Sequence, residues 1–292
     1  DLCRDYLFWP PGPSIGTALR CTIAFVSSRD GNDEIYVINT DGEMRLTTNA
    51  ASDTNPAVSP DGRRVAFASD RESGNVDIYV VDIDSPETLI RLTSDAATDR
   101  QPTWSPDGSS LAFVSDRTGS DQLYTIEVEN AGTPVQVTSA TDNLHGIDDP
   151  VWSPDGQTLA FVARQDSPTA DQDLYLVGVG DVGLSRLTTS EADDAHPDWS
   201  PHGTQLLFTS DRNGPQSLFL LSSINSNPVV DAIGRDGNAV EGQQPRWSPC
   251  GELLIFSALT DAGAELFVLR MFDTDLHRLT VSLGDNVEPD WS

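Results

Sequence analysis

The stretch Pro102-Thr103-Trp104-Ser105-Pro106-Asp107-Gly108, followed at once by Leu111-Ala112-Phe113, decides how the rest of the 292 residues are read. It recurs as Pro56-Ala57-Val58-Ser59-Pro60-Asp61-Gly62, Pro150-Val151-Trp152-Ser153-Pro154-Asp155-Gly156, Pro197-Asp198-Trp199-Ser200-Pro201-His202-Gly203 and Pro245-Arg246-Trp247-Ser248-Pro249-Cys250-Gly251. The sequence ends inside a sixth copy, Pro289-Asp290-Trp291-Ser292. The leading prolines stand at 56, 102, 150, 197, 245 and 289, so the period is 44 to 48 residues. A fixed period of that size marks a propeller or an array.

Each copy reads as one four-stranded meander. The Trp-Ser pair ends a first strand, and Ser-Pro-Asp-Gly supplies a turn: Pro presets φ, Asp tolerates the next position and Gly takes the left-handed one. The second strand is Val65-Ala66-Phe67, Leu111-Ala112-Phe113, Leu159-Ala160-Phe161, Leu206-Leu207-Phe208 or Leu254-Ile255-Phe256. Its apolar run is continuous, as expected of a strand buried on both faces. A polar loop follows, Ser69-Asp70-Arg71, Ser115-Asp116-Arg117 or Ser210-Asp211-Arg212, then a third strand such as Ile78-Tyr79-Val80-Val81 and a fourth such as Arg91-Leu92-Thr93.

The first copy starts midway. Ile23-Ala24-Phe25-Val26 is already a second strand, Ile35-Tyr36-Val37-Ile38 a third and Arg45-Leu46-Thr47 a fourth. The missing first strand is available at the other end, in Val287 to Ser292. The expectation is an all-β, six-bladed β-propeller of four-stranded antiparallel blades over residues 21–292, closed by that C-terminal strand and preceded by an arm at 1–20. Closure removes the apolar edges that an open ring would expose.

With these motifs in place, Pro-x-Trp-Ser-Pro-Asp-Gly, Leu-Ala-Phe, Ser-Asp-Arg, Leu-Tyr and Leu-Thr in order, the sequence resembles the TolB-like β-propellers, relatives of the WD-repeat. The resemblance runs from about Ile23 to Ser292. Departures are Val58 in place of Trp, His202 and Cys250 in place of the turn Asp, and a fifth copy without a clear Leu-Thr strand. It implies the fold, and a function only loosely, since one fold serves many functions. TolB itself accepts a lipoprotein partner at its channel mouth, so the resemblance implies that mode of binding. About twenty residues precede the repeat, too few for TolB's separate α/β domain, so the Tol role is not carried over.

Lys plus Arg is 17 and Asp plus Glu 46, a net charge of −29. Such a surface repels nucleic acid and anionic lipid. It suits a protein or peptide partner with a basic patch, a divalent cation such as calcium in the channel, or solubility alone. No run of 18 apolar residues is present, so no membrane insertion is expected. The first residue is Asp1, without Met or a signal peptide, which reads as a processed chain or a cut boundary. Trp9-Pro10-Pro11-Gly12-Pro13 excludes helix from the arm. A disulfide between Cys3 and Cys21 is expected to tie the arm to the first blade, as in exported proteins; the other reading leaves two unrelated thiols. Cys250 reads as a turn substitution. Together these place the protein in the periplasm or outside the cell.

Meander topology puts the Ser-Asp-Arg loops and the segments leading into Pro-x-Trp on one face. The residues just before each Pro then ring the channel mouth: Asn55, Gln101, Asp149, His196, Gln244 and Glu288. This ring is the candidate partner-binding site, set against ordinary hydration of a channel end. Asp53, Asp99, Asp148, Asp194, His145 and His196 are the candidate metal ligands, two histidines with carboxylates being a transition-metal arrangement. The Ser-Asp-Arg residues are expected to be architecture, with Asp70, Asp116 and Asp211 accepting loop N–H groups and each Arg pairing a carboxylate. The repeated tryptophans are expected to pack between blades.

No Gly-x-Ser-x-Gly, His-Glu-x-x-His, phosphate loop or Cys-x-x-Cys occurs. Asp30-Gly31-Asn32-Asp33-Glu34 lacks calcium-loop spacing. The leading expectation is therefore a non-catalytic extracytoplasmic binding or scaffold module that requires no cofactor. Two alternatives stand beside it. One is a metal-dependent carbohydrate-active enzyme like the TolB-like oligogalacturonate lyases, whose His cluster is denser than any here. The other is a propeller detached from a larger peptidase of the prolyl oligopeptidase kind.

Overall fold

The computed structural model describes residues 22–292 except 73, 181–182, 225–227, 236–237, 273 and 282–283. The arm at 1–20 and the expected Cys3–Cys21 bond lie outside the described residues.

Six four-stranded antiparallel sheets carry the repeat, one per copy. Their innermost strands are Asp53–Val58 in blade II, Asp99–Trp104 in III, Leu144–Trp152 in IV, Asp194–Trp199 in V and Gln243–Trp247 in VI. Blade I takes its innermost strand, Asn286–Trp291, from the end of the sequence, in the order Asn286–Trp291, Ile23–Ser27, Glu34–Asn39, Gly42–Arg45. The register pairs Ile23 with Trp291 and Ser27 with Asn286. Thr22 and Ser292 exchange backbone hydrogen bonds at 3.1 and 3.0 Å. The predicted closure is therefore present. Among the described residues no helix is long and apolar enough to cross a membrane.

Second strands are the buried layer, as their unbroken apolar runs predict; Ile23–Ser27 is buried at every position. Each blade stacks a Phe of its second strand on a Tyr or Phe of its third. The six ring pairs, from Phe25–Tyr36 to Phe256–Phe267, have centroids 5.7 to 6.0 Å apart, a separation at which aromatic pairs attract beyond their buried area. Tryptophans close the seams. Trp104 of blade III packs with Ala57, Ala66 and Ala68 of blade II and donates Nε1–H to the Ala57 carbonyl at 3.0 Å. Trp291 packs with Leu253 and Ile255 of blade VI.

The Ser-Asp-Arg loops are built as the sequence suggests. Asp70, Asp116 and Asp211 accept the N–H groups of Ser52, Thr98 and Asp193 at 3.0, 2.8 and 3.0 Å. Arg71 grips both oxygens of Asp53 at 2.8 Å, Arg117 both of Asp99 at 3.0 Å, and Arg212 both of Asp194 at 2.8 and 2.9 Å. Each of these guanidinium groups also lies over the aromatic pair of its blade. A second clamp uses the Arg-Leu-Thr motif: Arg91 and Thr93 hold Asp77, Arg186 and Thr188 hold Asp173, and Arg278 and Thr280 hold Glu265. Buried charge persists here because each carboxylate is both paired and hydrogen-bonded.

Departures from the repeat have local solutions. Blade V, without Leu-Thr, uses Val229–Ala232 as its fourth strand and adds a small ribbon, Gly234–Arg235 with Asn238–Ala239. In three turns the Ser hydroxyl donates to the turn Asp at 2.6 Å, as in Ser105 to Asp107. Cys250 takes that place beside Ser248 at 3.1 Å. The turn glycines 62, 108, 156, 203 and 251 have φ between 68° and 74°, the left-handed region that the turn requires.

Candidate functional site: the channel mouth

The six inner strands surround one central cavity, part of it open to solvent. Each strand contains a proline, which has no N–H to give to a ladder. At that step each inner strand slips register against its neighbour, for example between Thr54 and Ala57 and between Ala195 and Asp198. The residue before the proline adopts positive φ in every blade: Asn55 50°, Gln101 53°, Asp149 50°, His196 51°, Gln244 52° and Glu288 51°. Positive φ is uncommon for residues other than glycine and costs on the order of 1–3 kcal/mol. Here it recurs six times because a bulge at an edge strand re-aims its side chain. All six predicted ring residues consequently line the same cavity.

The ring residues bind one another across blade seams. The Glu288 carboxylate accepts the Asn55 N–H at 2.6 Å, and Gln244 Oε1 accepts the Glu288 N–H at 2.9 Å. Gln101 accepts the Asp149 N–H at 3.1 Å and returns a bond from Nε2 to Asp149 Oδ1 at 2.8 Å. His196 shares a hydrogen bond between Nδ1 and Thr209 Oγ1 at 2.9 Å, and its Nε2 faces Asp149 at 3.8 Å. Burial holds the His196 imidazole below its ordinary pKa, against the opposite pull of Asp149. Burial pushes the Glu288 carboxyl up.

A second tier lines the cavity two residues further along each strand, and the sequence reading did not name it. It consists of Ala57, Thr103, Val151, Asp198, Arg246 and Asp290. The signal was available, since residues i and i+2 of a strand share a face. Asp198 accepts the Trp247 N–H at 2.6 Å, and Asp290 accepts the Val58 N–H at 2.7 Å. Arg246 Nε lies 3.5 Å from Asp290 Oδ1. Burial drives the Asp198 carboxyl up to about 7, over the opposing effects of Arg246 and the Trp247 N–H, with Asp290 adding to the rise. Asp290 is raised for the same leading reason.

The metal candidates are not brought together. Asp53, Asp99 and Asp194 are fully buried in separate blades, with both oxygens of each held by arginine, so the structure makes them clamps rather than open ligands. Asp148 sits 3.6 Å from Arg100, and burial, then the neighbouring Asp149, pushes it up to about 7. His145 pairs in the ladder opposite Arg164, while His196 lines the cavity. Among the described residues no three His, Cys, Asp or Glu side chains form a group that could hold a metal ion.

The exterior charge is lopsided in kind as well as in number. The sequence contains no lysine, so all 17 basic residues are arginines. Most of the described arginines stand in ion pairs with carboxylates.

The sequence matches the PD40 family, the TolB beta propeller domain, over residues 71–147 and 135–240, more than half of the chain. A protein TolB homolog of Chlorobaculum tepidum is 43% identical over 63 residues, covering 21% of this chain and only 14% of the relative. The crystal structure of TolB from Acinetobacter baumannii superposes with a TM-score of 0.77 at 20% identity, covering 93% of this chain and 66% of that one. An oligogalacturonate lyase in complex with manganese shares the fold at a TM-score of 0.61 and 15% identity, covering 88% of this chain and 73% of that one. The clamps, the turn chemistry and the six-bladed ring agree with the sequence match: the chain belongs to the TolB beta propeller family.

Proposed function

We propose that the protein is a non-catalytic, extracytoplasmic binding module, periplasmic or extracellular, that holds a protein or peptide with a basic patch at its channel mouth. The observation that carries this reading is the convergence of Asn55, Gln101, Asp149, His196, Gln244 and Glu288 around one opening, each on a bulged strand. The charge supports a basic occupant: with a net −29 and most described arginines already paired, the surface offers few cations and many carboxylates. Complementary charge steers such a partner and sets its orientation more than it sets raw affinity. Family membership supports a protein-binding propeller, and the lyase resemblance extends to fold alone.

Affinity capture from an envelope extract, with the wild type beside the triple variant Asp149→Ala, His196→Ala, Glu288→Ala, tests the assignment. The expected result is a basic protein recovered by the wild type and lost by the variant. Equal recovery by both would move the interface off the mouth.

A further inference from the structure

Three consecutive second-tier positions are ionisable: Asp198 in blade V, Arg246 in VI and Asp290 in I. Arg246 lies 3.5 Å from Asp290, its charge also acts on Asp198, and its Nη1 is turned to the Pro245 carbonyl at 3.1 Å. Each carboxylate also accepts a backbone N–H of the next blade, Asp198 from Trp247 and Asp290 from Val58. The chain of contacts runs from blade V through VI and I to II, across the seam where the ring closes. We propose that Asp198, Arg246 and Asp290 form a proton-operated strut that ties these four blades, firm when it holds a proton and loosened when the proton leaves.

The physical argument is charge balance in a walled space. Two carboxylates against one guanidinium leave one negative charge without a partner, and water in a narrow channel screens it poorly. The other groups facing the strut do not cancel it. Blade IV presents Asp149 and blade I Glu288, both acidic; blades II and III present Asn55, Ala57, Gln101 and Thr103, none of which titrates. Asp33 adds a further negative influence on Glu288. His196 of blade V is the one remaining base, and burial keeps it neutral until the solution is more acid than its ordinary pKa. A proton on Asp198 or Asp290 removes the surplus while an oxygen of each still accepts its N–H bond.

The direction of the pH effect follows. The folded-state pKa of Asp198 lies above its ordinary 3.8, at about 7, and that of Asp290 is also raised. The folded protein thus holds protons that the unfolded chain releases, so this contribution is present at low pH and is lost as pH rises through about 7. Asp148 and Glu288 act in the same direction, so the strut is isolated by substitution.

The test is a set of thermal melts between about pH 5.5 and pH 8 on the wild type and on Asp198→Asn, which keeps the acceptor and abolishes the charge. The wild type is expected to melt several degrees higher at the acid end. The variant is expected to melt above the wild type by a margin that widens from about pH 5.5 to pH 8. Parallel curves, or a variant less stable by the same margin throughout, would overturn the proposal. A second readout needs only wild-type folding to be intact: carboxyl-carbon NMR of aspartate-labelled protein should show a resonance with its midpoint near 7 that Asp198→Asn lacks. If every aspartate titrates below about pH 5, the strut does not exist.

Discussion

At the position after the inner-strand proline, blades II, III and IV carry Ala57, Thr103 and Val151, whereas blades V, VI and I carry Asp198, Arg246 and Asp290. The inner strands of both halves share the bulge and the positive φ two residues earlier. The outer scaffold is also shared: Arg117 grips Asp99 in blade III as Arg212 grips Asp194 in blade V. Around the channel, what differs is the side chains that face the cavity. Repeated features hold the ring together, and features that break the repeat are where a sixfold scaffold acquires a direction.

The largest effect expected from cutting across this comparison is the loss of residues 286–292. That strand supplies Glu288 and Asp290 to the channel and Trp291 to the seam with blade VI. Its deletion should abolish the single cooperative transition seen by calorimetry or circular dichroism, because it opens the ring and exposes apolar edges. A truncated chain that melts as sharply as the full one would break the account of closure.

Next in size are the clamps. Asp194→Ala removes the carboxylate that Arg212 grips beside buried aromatic rings and should cost about 3–5 kcal/mol in urea unfolding. Asp99→Ala should cost less, since Arg117 keeps Asp95 at 3.1 Å. A larger loss at Asp99 would show that the asymmetry extends beyond the channel wall. The smallest expected effect is that of Gln101→Ala, which removes two seam bonds to Asp149 in the neutral arc. About 0.5–1.5 kcal/mol per hydrogen bond is expected from chemical denaturation. A larger loss would mark this seam as a principal tie of the ring.

The ring that lines the cavity was legible without coordinates. The fixed period placed Asn55, Gln101, Asp149, His196, Gln244 and Glu288 at equivalent points, and equivalence in a closed ring means convergence on the axis. The roles of Asp70, Asp116 and Asp211 were legible for the same reason, because a motif repeated in several blades answers a need of every blade. The metal candidates show the limit. Asp53, Asp99 and Asp194 recur near the mouth, but whether their oxygens are open depends on where Arg71, Arg117 and Arg212 fold back, 18 residues away in sequence in each case.

The sequence by itself determined the blade count, the closure by the tail, the faces on which loops fall and the acidic surface, since all of these follow from local patterns repeated at a constant interval. Only the tertiary structure decided which carboxylates are clamped and which face the channel, and that Arg246 pairs with Asp290 while its charge also acts on Asp198. The reason is that a side chain's ionic partner, and the water left around it, are set by residues brought close by the fold, 18 residues away in the clamps and a blade away in the channel. A one-dimensional pattern carries the spacing of such groups but not the walls that close around them.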